Sequence, residues 1–147
     1  MAADAPAQSF ANHRKFVPGY HYVATMILLI KLIYSGYVAV TSFSTDSAMA
    51  LLLAFGLVMI GLYARLFALK AQDRVIRLEE RLRLHELLSP DQKNMIDNLT
   101  TAQLIGLRFA SDAEVGELAA AVSAEGVQKA DEIKKRVKNW RADHQRV

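Results

Sequence analysis

Two apolar runs, residues 22–40 and 48–69, are separated only by Thr41-Ser42-Phe43-Ser44-Thr45-Asp46-Ser47. A helix rises about 1.5 Å per residue, so each run is long enough to cross a hydrocarbon layer about 30 Å thick. Lipid offers no partner to an open backbone, so a crossing segment is expected to be helical. The chain therefore reads as a helical hairpin in a membrane, carrying a polar tail. A cleaved signal peptide fits poorly. Such a segment has an apolar stretch of about 7–15 residues and then a small-residue cleavage site. Here polar sequence comes first and no Ala-x-Ala-like site follows residue 40, so a retained anchor is expected.

Charge placement orients the hairpin. The connecting loop holds no Lys or Arg, whereas Arg14 and Lys15 precede the first run and Arg65, Lys70, Arg74 and Arg77 close or follow the second. Basic residues near span ends favour the cytoplasmic side, so both termini are expected in the cytoplasm and the loop outside. Tyr20, His21 and Tyr22 suit the inner boundary of span one, where amphipathic rings favour the headgroup level. Residues 47–69 contain eleven Leu, Ile, Val or Phe, and their one charge, Arg65, lies near the end, where it can snorkel. Residues 22–40 contain nine, worth roughly −3 to −5 kcal/mol on an insertion scale, against about +2.5 to +3.5 for Lys31 near the centre. The first span is marginal alone and is expected to insert with the second.

Beyond the membrane the expected class is all-α. From residue 68 to 88 there is neither Gly nor Pro, and Asp73/Arg77 and Glu79/Arg83 are helix-supporting pairs in acid-first order. The expected division is an N-terminal segment 1–19 whose first eight residues are disordered, spans 20–41 and 47–69 joined by loop 42–46, a helical stalk 70–88 continuing span two, and a small helical module 89–147. Ala71, Val75, Leu78 and Leu82 form an apolar seam of about two heptads, expected to pack on the module, with dimerisation as the alternative. Ser89-Pro90 starts a short helix to about Asn98. Thr100-x-x-Gln103 and Ser111-x-x-Glu114 read as capping boxes opening helices near 101–109 and 112–124, with Gly126 as a stop. A last helix near 128–141 would bury Ala130, Ile133, Val137 and Trp140.

Several stretches match a known pattern: Asn12-His13-Arg14 with Pro18 and Tyr20-His21-Tyr22; Arg65 to Leu69 running into Gln72 to Arg81; Leu107 to Ser111; and Ile133 to Trp140. Over nearly its whole length the chain resembles a family of small, uncharacterised bacterial two-span membrane proteins, a domain of unknown function. The resemblance implies a bacterial inner-membrane location and brings no activity, cofactor or catalytic residue.

The residues themselves carry little chemistry. There is no Gly-x-Ser-x-Gly, no phosphate-binding Gly-x4-Gly-Lys-Ser/Thr and no His-Glu-x-x-His. His13, His21, His85 and His144 are isolated from one another, which favours surface or interfacial histidines over metal ligands. Glu79 and Glu80 point about 100° apart on a helix and are expected on a solvated face. No cofactor, metal or catalytic residue is expected. Residues 70–147 carry 14 Lys/Arg against 13 Asp/Glu, a balance that gives no reason to expect nucleic acid.

Lys31 demands comment, because an intramembrane cation marks a partner, a pathway or a pairing site. The bland reading is a snorkelling lysine, or one turned toward the hairpin interior near Tyr34 and Ser35. The sharper ones are contact with a partner membrane protein or an ion path. Arg14, Lys15, Arg65, Lys70 and Arg74 form a basic collar that sets topology and could attract anionic lipid. Trp140 is expected to anchor the module's packing, with lipid docking of the cationic last helix as the alternative. The expected role is a non-enzymatic, membrane-anchored interaction or scaffold module whose partners are the bilayer and another protein or a second copy. The alternative is an accessory subunit of a channel or transporter using Lys31. A membrane-bound enzyme relying on His21, His85 or Glu80 has least support.

Overall fold

A computed structural model describes residues 8–13 and 15–143. The chain is all-helical, with no named strand among the described residues. A π-helical segment Gly19–Ala24 leads into α1 (Thr25–Thr41), followed by α2 (Thr45–Leu87), α3 (Pro90–Lys93) and a 3-10 turn Ile96–Asn98. Then come α4 (Thr101–Leu107), α5 (Val115–Ala124) and α6 (Ala130–Arg136). The chain divides into two compact units, Lys15–Leu69 and a second made of Met1–Arg14 with Lys70–Val147.

In the Lys15–Leu69 unit, the Gly19–Thr41 helix and α2 are both long and apolar enough to cross a membrane. The turn between them is closed by a reciprocal box: Ser47 N donates to Ser44 Oγ at 3.1 Å and Ser44 N donates to Ser47 Oγ at 2.9 Å. Two of the orphan donors at the start of α2 are satisfied this way. Small residues sit where the helices meet, with Ser35 and Ala54 at 2% and 1% exposure. Small side chains let two backbones approach closely. Tyr20, expected at the headgroup level, turns its hydroxyl inward and donates to the Gly61 carbonyl of α2. The large residues Ile30, Ile33, Leu52, Leu53 and Ile60 all face outward.

The other unit is built on the last turns of α2. Leu84 and Leu88 enter a core cluster with Ile96, Leu99, Leu104, Leu107, Val115, Leu118, Val122 and Ile133. Each fully buried side chain of this kind is worth about 1.5–3 kcal/mol. Thr100 opens α4 with the expected box: its Oγ1 accepts from Gln103 N at 3.3 Å, and its N donates to Gln103 Oε1 at 2.8 Å. α4 crosses α6 at Gly106, where an added Cβ would lie 2.7 Å from Ile133 Cβ and 3.1 Å from the Ala130 carbonyl. α5 ends as Gly126 adopts φ +64°, with Val127 N bonded to Val122 O at 3.1 Å and Gly126 N to Ser123 O at 3.3 Å. That pair of bonds is a Schellman stop, which the positive φ of glycine permits.

Several expectations are corrected. The short helix from Pro90 breaks after Lys93 and resumes as a 3-10 turn. α5 starts at Val115 and not at Asp112, and Ser111 and Glu114 form no capping box. The Glu114 carboxylate instead accepts from Lys138 N and Asn139 N, both at 2.9 Å. Those bonds draw residues 138–139 out of helical geometry, so α6 stops at Arg136 and Trp140 forms a bridge to Ala110. The seam is corrected as well. Val75, Leu78 and Leu82 are 54%, 61% and 57% exposed, while Ile76, Glu80 and Leu84 are 6%, 5% and 0% exposed. The module covers the 76/80/84/88 face of α2, and one small module cannot cover two opposite sides of a helix about 10 Å wide. The expected disorder of the opening residues falls outside the described residues as far as Ala7, but Gln8 is bonded into this unit.

Candidate functional site

The polar groups most fully drawn together belong to the unit containing residues 70–147. A cleft of about 800 Å³ runs between the 76–87 stretch of α2 and residues 108–112 and 141–143. Glu80 lies at its base, one helical turn before Leu84, so the face that delivers Leu84 to the core delivers Glu80 beside it. Its Oε2 accepts from Arg83 Nη1 at 2.9 Å, and its Oε1 from Arg141 Nη1 at 3.4 Å. Arg83 also donates through Nε to Asp112 Oδ1 at 2.8 Å and through Nη2 to the Ala110 carbonyl at 2.7 Å. Arg108, buried beside Phe109, pairs through Nε with Asp143 Oδ2 at 3.4 Å. The network ties residues 110–112 and Arg141 to α2, and Asp143 to Arg108. Both Glu80 oxygens are engaged by guanidinium groups, so the arrangement clamps chain segments together. Glu80 was expected on a solvated face, and its burial corrects that reading; Glu79 beside it is exposed.

A second constellation seats the N-terminal segment. His13 is buried, stacked on Phe10 with ring centroids 5.5 Å apart, and it meets Phe109 edge-on at 5.7 Å and Trp140 at 6.0 Å. Its Nδ1 lies 2.7 Å from the Phe10 carbonyl, which can only accept, so Nδ1 carries the proton. Nε2 then accepts from Lys134 Nζ at 3.3 Å, and Lys134 also donates to Asp131 Oδ1 at 2.8 Å. Gln8 completes the clip: Nε2 donates to the Asp143 carbonyl at 3.2 Å, and Oε1 accepts from Asp143 N at 2.8 Å. His13 is therefore not the surface histidine expected. Trp140 is half-buried, with its ring 4.9 Å from that of Phe109, and a backbone bridge holds it there.

The remaining residues singled out in the sequence are scattered. Lys31 is exposed, with no hydrogen bond or ion pair among the described residues, and is not turned toward Ser35 inside the hairpin. Lys15, Lys70 and Arg74 are exposed and Arg65 is half-buried, while Arg14 lies outside the described residues. His21 is half-buried, its Nδ1 lying 3.0 Å from both the N and the carbonyl O of Val17, and His85 is exposed; His144 lies outside the described residues. No three His, Cys, Asp or Glu side chains converge as a metal site among the described residues. The burial of Glu80, its pairing with Arg83, and the parts played by Arg108, Gln8 and Lys134 escaped the sequence reading. The four-residue recurrence of Ile76, Glu80, Leu84 and Leu88 was a usable signal for the first.

No curated protein and no solved structure matches the chain. A family model described as a family of unknown function, DUF6526, matches residues 3–147. The chain belongs to that family.

Proposed function

We propose that this chain is an integral protein of a bacterial inner membrane, with residues 20–41 and 47–69 as its spans and both termini in the cytoplasm. Its role is to hold the helical module at the membrane for contact with another protein or copy, without catalysing a reaction. The observation that carries this reading is the outward surface of the Lys15–Leu69 unit. Ile30, Ile33, Leu52, Leu53 and Ile60 are exposed together on two helices that bury almost nothing but small residues between them. Monomeric soluble proteins rarely show an apolar patch beyond a few hundred Å², and a bilayer is the solvent that matches it. The loop without basic residues and the collar of Lys15, Arg65, Lys70 and Arg74 support the orientation, and the collar would also draw anionic lipid.

Alkaline extraction of membranes and reporter fusions test this reading. The chain is expected in the membrane pellet, with a carboxyl-terminal reporter active only in the cytoplasm and a loop reporter only outside. Recovery in the soluble fraction, or the opposite reporter pattern, overturns it.

The outward ammonium of Lys31, without a partner among the described residues, favours a second reading, an accessory subunit whose first span contacts another membrane protein. Lys31→Leu would then remove a membrane partner from the detergent-solubilised complex while leaving insertion intact. Unchanged co-purification and unchanged transport would remove this reading.

A further inference from the structure

The last part of α2 presents two opposed faces. At about 100° per residue, Ile76, Glu80, Leu84 and Leu88 lie on the side that the module covers, and Ala71, Val75, Leu78 and Leu82 lie across the helix axis from them. The second set is open. Its spacings of 4, 3 and 4 are the a/d register of a left-handed two-helix coil, and the next position in that register is His85, also exposed.

The flanking charges say what fits there. With Val75 and Leu82 at a, and Ala71 and Leu78 at d, Arg74 and Arg81 occupy g while Glu79 and Glu86 occupy e. In a parallel pair, each g residue faces the e residue five positions later on the other helix. Arg74 then meets Glu79 of a second copy, Arg81 meets Glu86, and two-fold symmetry repeats both contacts. An antiparallel pair would set arginine against arginine and glutamate against glutamate. Arg74, Glu79 and Glu86 make no ion pair among the described residues. Arg81 donates through Nη2 to the Asp97 carbonyl at 3.3 Å, and its Nε has no partner among them.

We infer that a second copy of this chain docks on the Ala71/Val75/Leu78/Leu82 seam, forming a parallel two-stranded coiled coil over residues 71–85. The parallel sense rests on the membrane reading above, since two copies inserted with one topology run α2 in the same direction. Two heptads fall short of the roughly 3–4 that sustain a free coiled coil. Confinement to one bilayer raises the effective concentration of each helix for the other and compensates.

The chain contains no cysteine, so each substitution introduces a single thiol per copy. Full-length chain in native membranes is oxidised with copper phenanthroline and resolved without reductant. Val75→Cys, Leu78→Cys and Leu82→Cys are expected to give disulfide-linked dimers at roughly tenfold the yield of Asp73→Cys and Arg77→Cys, whose Cβ atoms point away from the seam. In the Leu78→Cys background, Glu79→Arg is expected to lower the yield roughly fivefold by removing two exposed ion pairs, and adding Arg74→Glu to restore it. Equal linking at all positions, or none at the seam in chain that resists alkaline extraction, overturns the dimer and leaves the membrane reading standing. Linking only to a different protein overturns the second copy as occupant. Release of the chain on alkaline extraction overturns the membrane reading and, with it, the parallel pairing.

Discussion

The two units of this protein bury opposite things. In the Lys15–Leu69 unit the least accessible side chains are Ser35, Ser47 and Ala54, and the large aliphatic residues lie outside. In the unit containing residues 70–147, Leu84, Ile96, Leu104, Leu107, Phe109 and Ile133 are fully buried, and most of its charged residues remain accessible. On the proposed membrane reading, the physical cause is the driving force available to each. Where water is the surroundings, removing apolar area from it dominates, and bulky side chains go inside. Where lipid is the surroundings, burying a leucine gains little, and close approach through small residues decides which faces meet. On the proposed membrane reading, exposure in the first unit is no defect of packing, whereas the exposed seam of the second asks for a partner.

The sharpest way to break this comparison is to remove a buried charge from the second unit. Glu80→Ala takes from the nearly inaccessible Arg83 its buried carboxylate partner, leaving it the exposed Asp112 and the Ala110 carbonyl, and is expected to destabilise by about 3 kcal/mol. Glu79→Ala, one residue away and exposed, is expected to stay within about 0.5 kcal/mol. Denaturant titration in mild detergent, followed by fluorescence of Trp140, reads both, since the chain has one tryptophan. Equal effects would mean that the ion network does not hold the module.

A matched pair of leucines compares the two units directly. Leu104→Ala empties a fully buried position and is expected to cost about 2–5 kcal/mol. Leu53→Ala, on the exposed outer face of α2, is expected to cost less than about 1 kcal/mol by helicity-monitored unfolding, because on the proposed membrane reading the lost contacts are with lipid. A large loss at Leu53 would argue that protein covers that face.

Glycines sharpen the same point at smaller scale. Gly106→Ala forces a methyl against Ile133 and the Ala130 carbonyl, with an expected cost of about 1–3 kcal/mol in the Trp140 titration. Gly56→Ala meets no atom within 4 Å, and is expected to leave the hairpin as stable or more helical by circular dichroism. The smallest expected effect is Thr100→Ala, about 1 kcal/mol, from loss of the box that opens α4.

Much of the architecture was legible in residue order. The two apolar helices, the Thr100/Gln103 box and the Gly126 stop each depend on neighbours within a few positions, so local pattern carries them. The clamp was not legible in the same way. Adjacent glutamates at 79 and 80 look alike along the chain, and their separate fates depend on the core that covers Glu80 and on Arg141, 61 residues further on, in one case and on open solvent in the other. The Ser111/Glu114 box failed for a related reason: its carboxylate found better donors in Lys138 and Asn139 than in its own helix. His13 was hidden because its partners Lys134, Phe109 and Trp140 are about a hundred residues away.

Residue order alone settles that this chain makes two long apolar helices and an all-helical polar remainder, because helix length, apolar content and capping are governed by short-range chemistry. Which side of α2 meets the module, which glutamate is buried, and where Gln8 and His13 dock were set by folding in three dimensions. Those outcomes depend on filling one small core from both ends of the chain, a long-range condition that no local window contains.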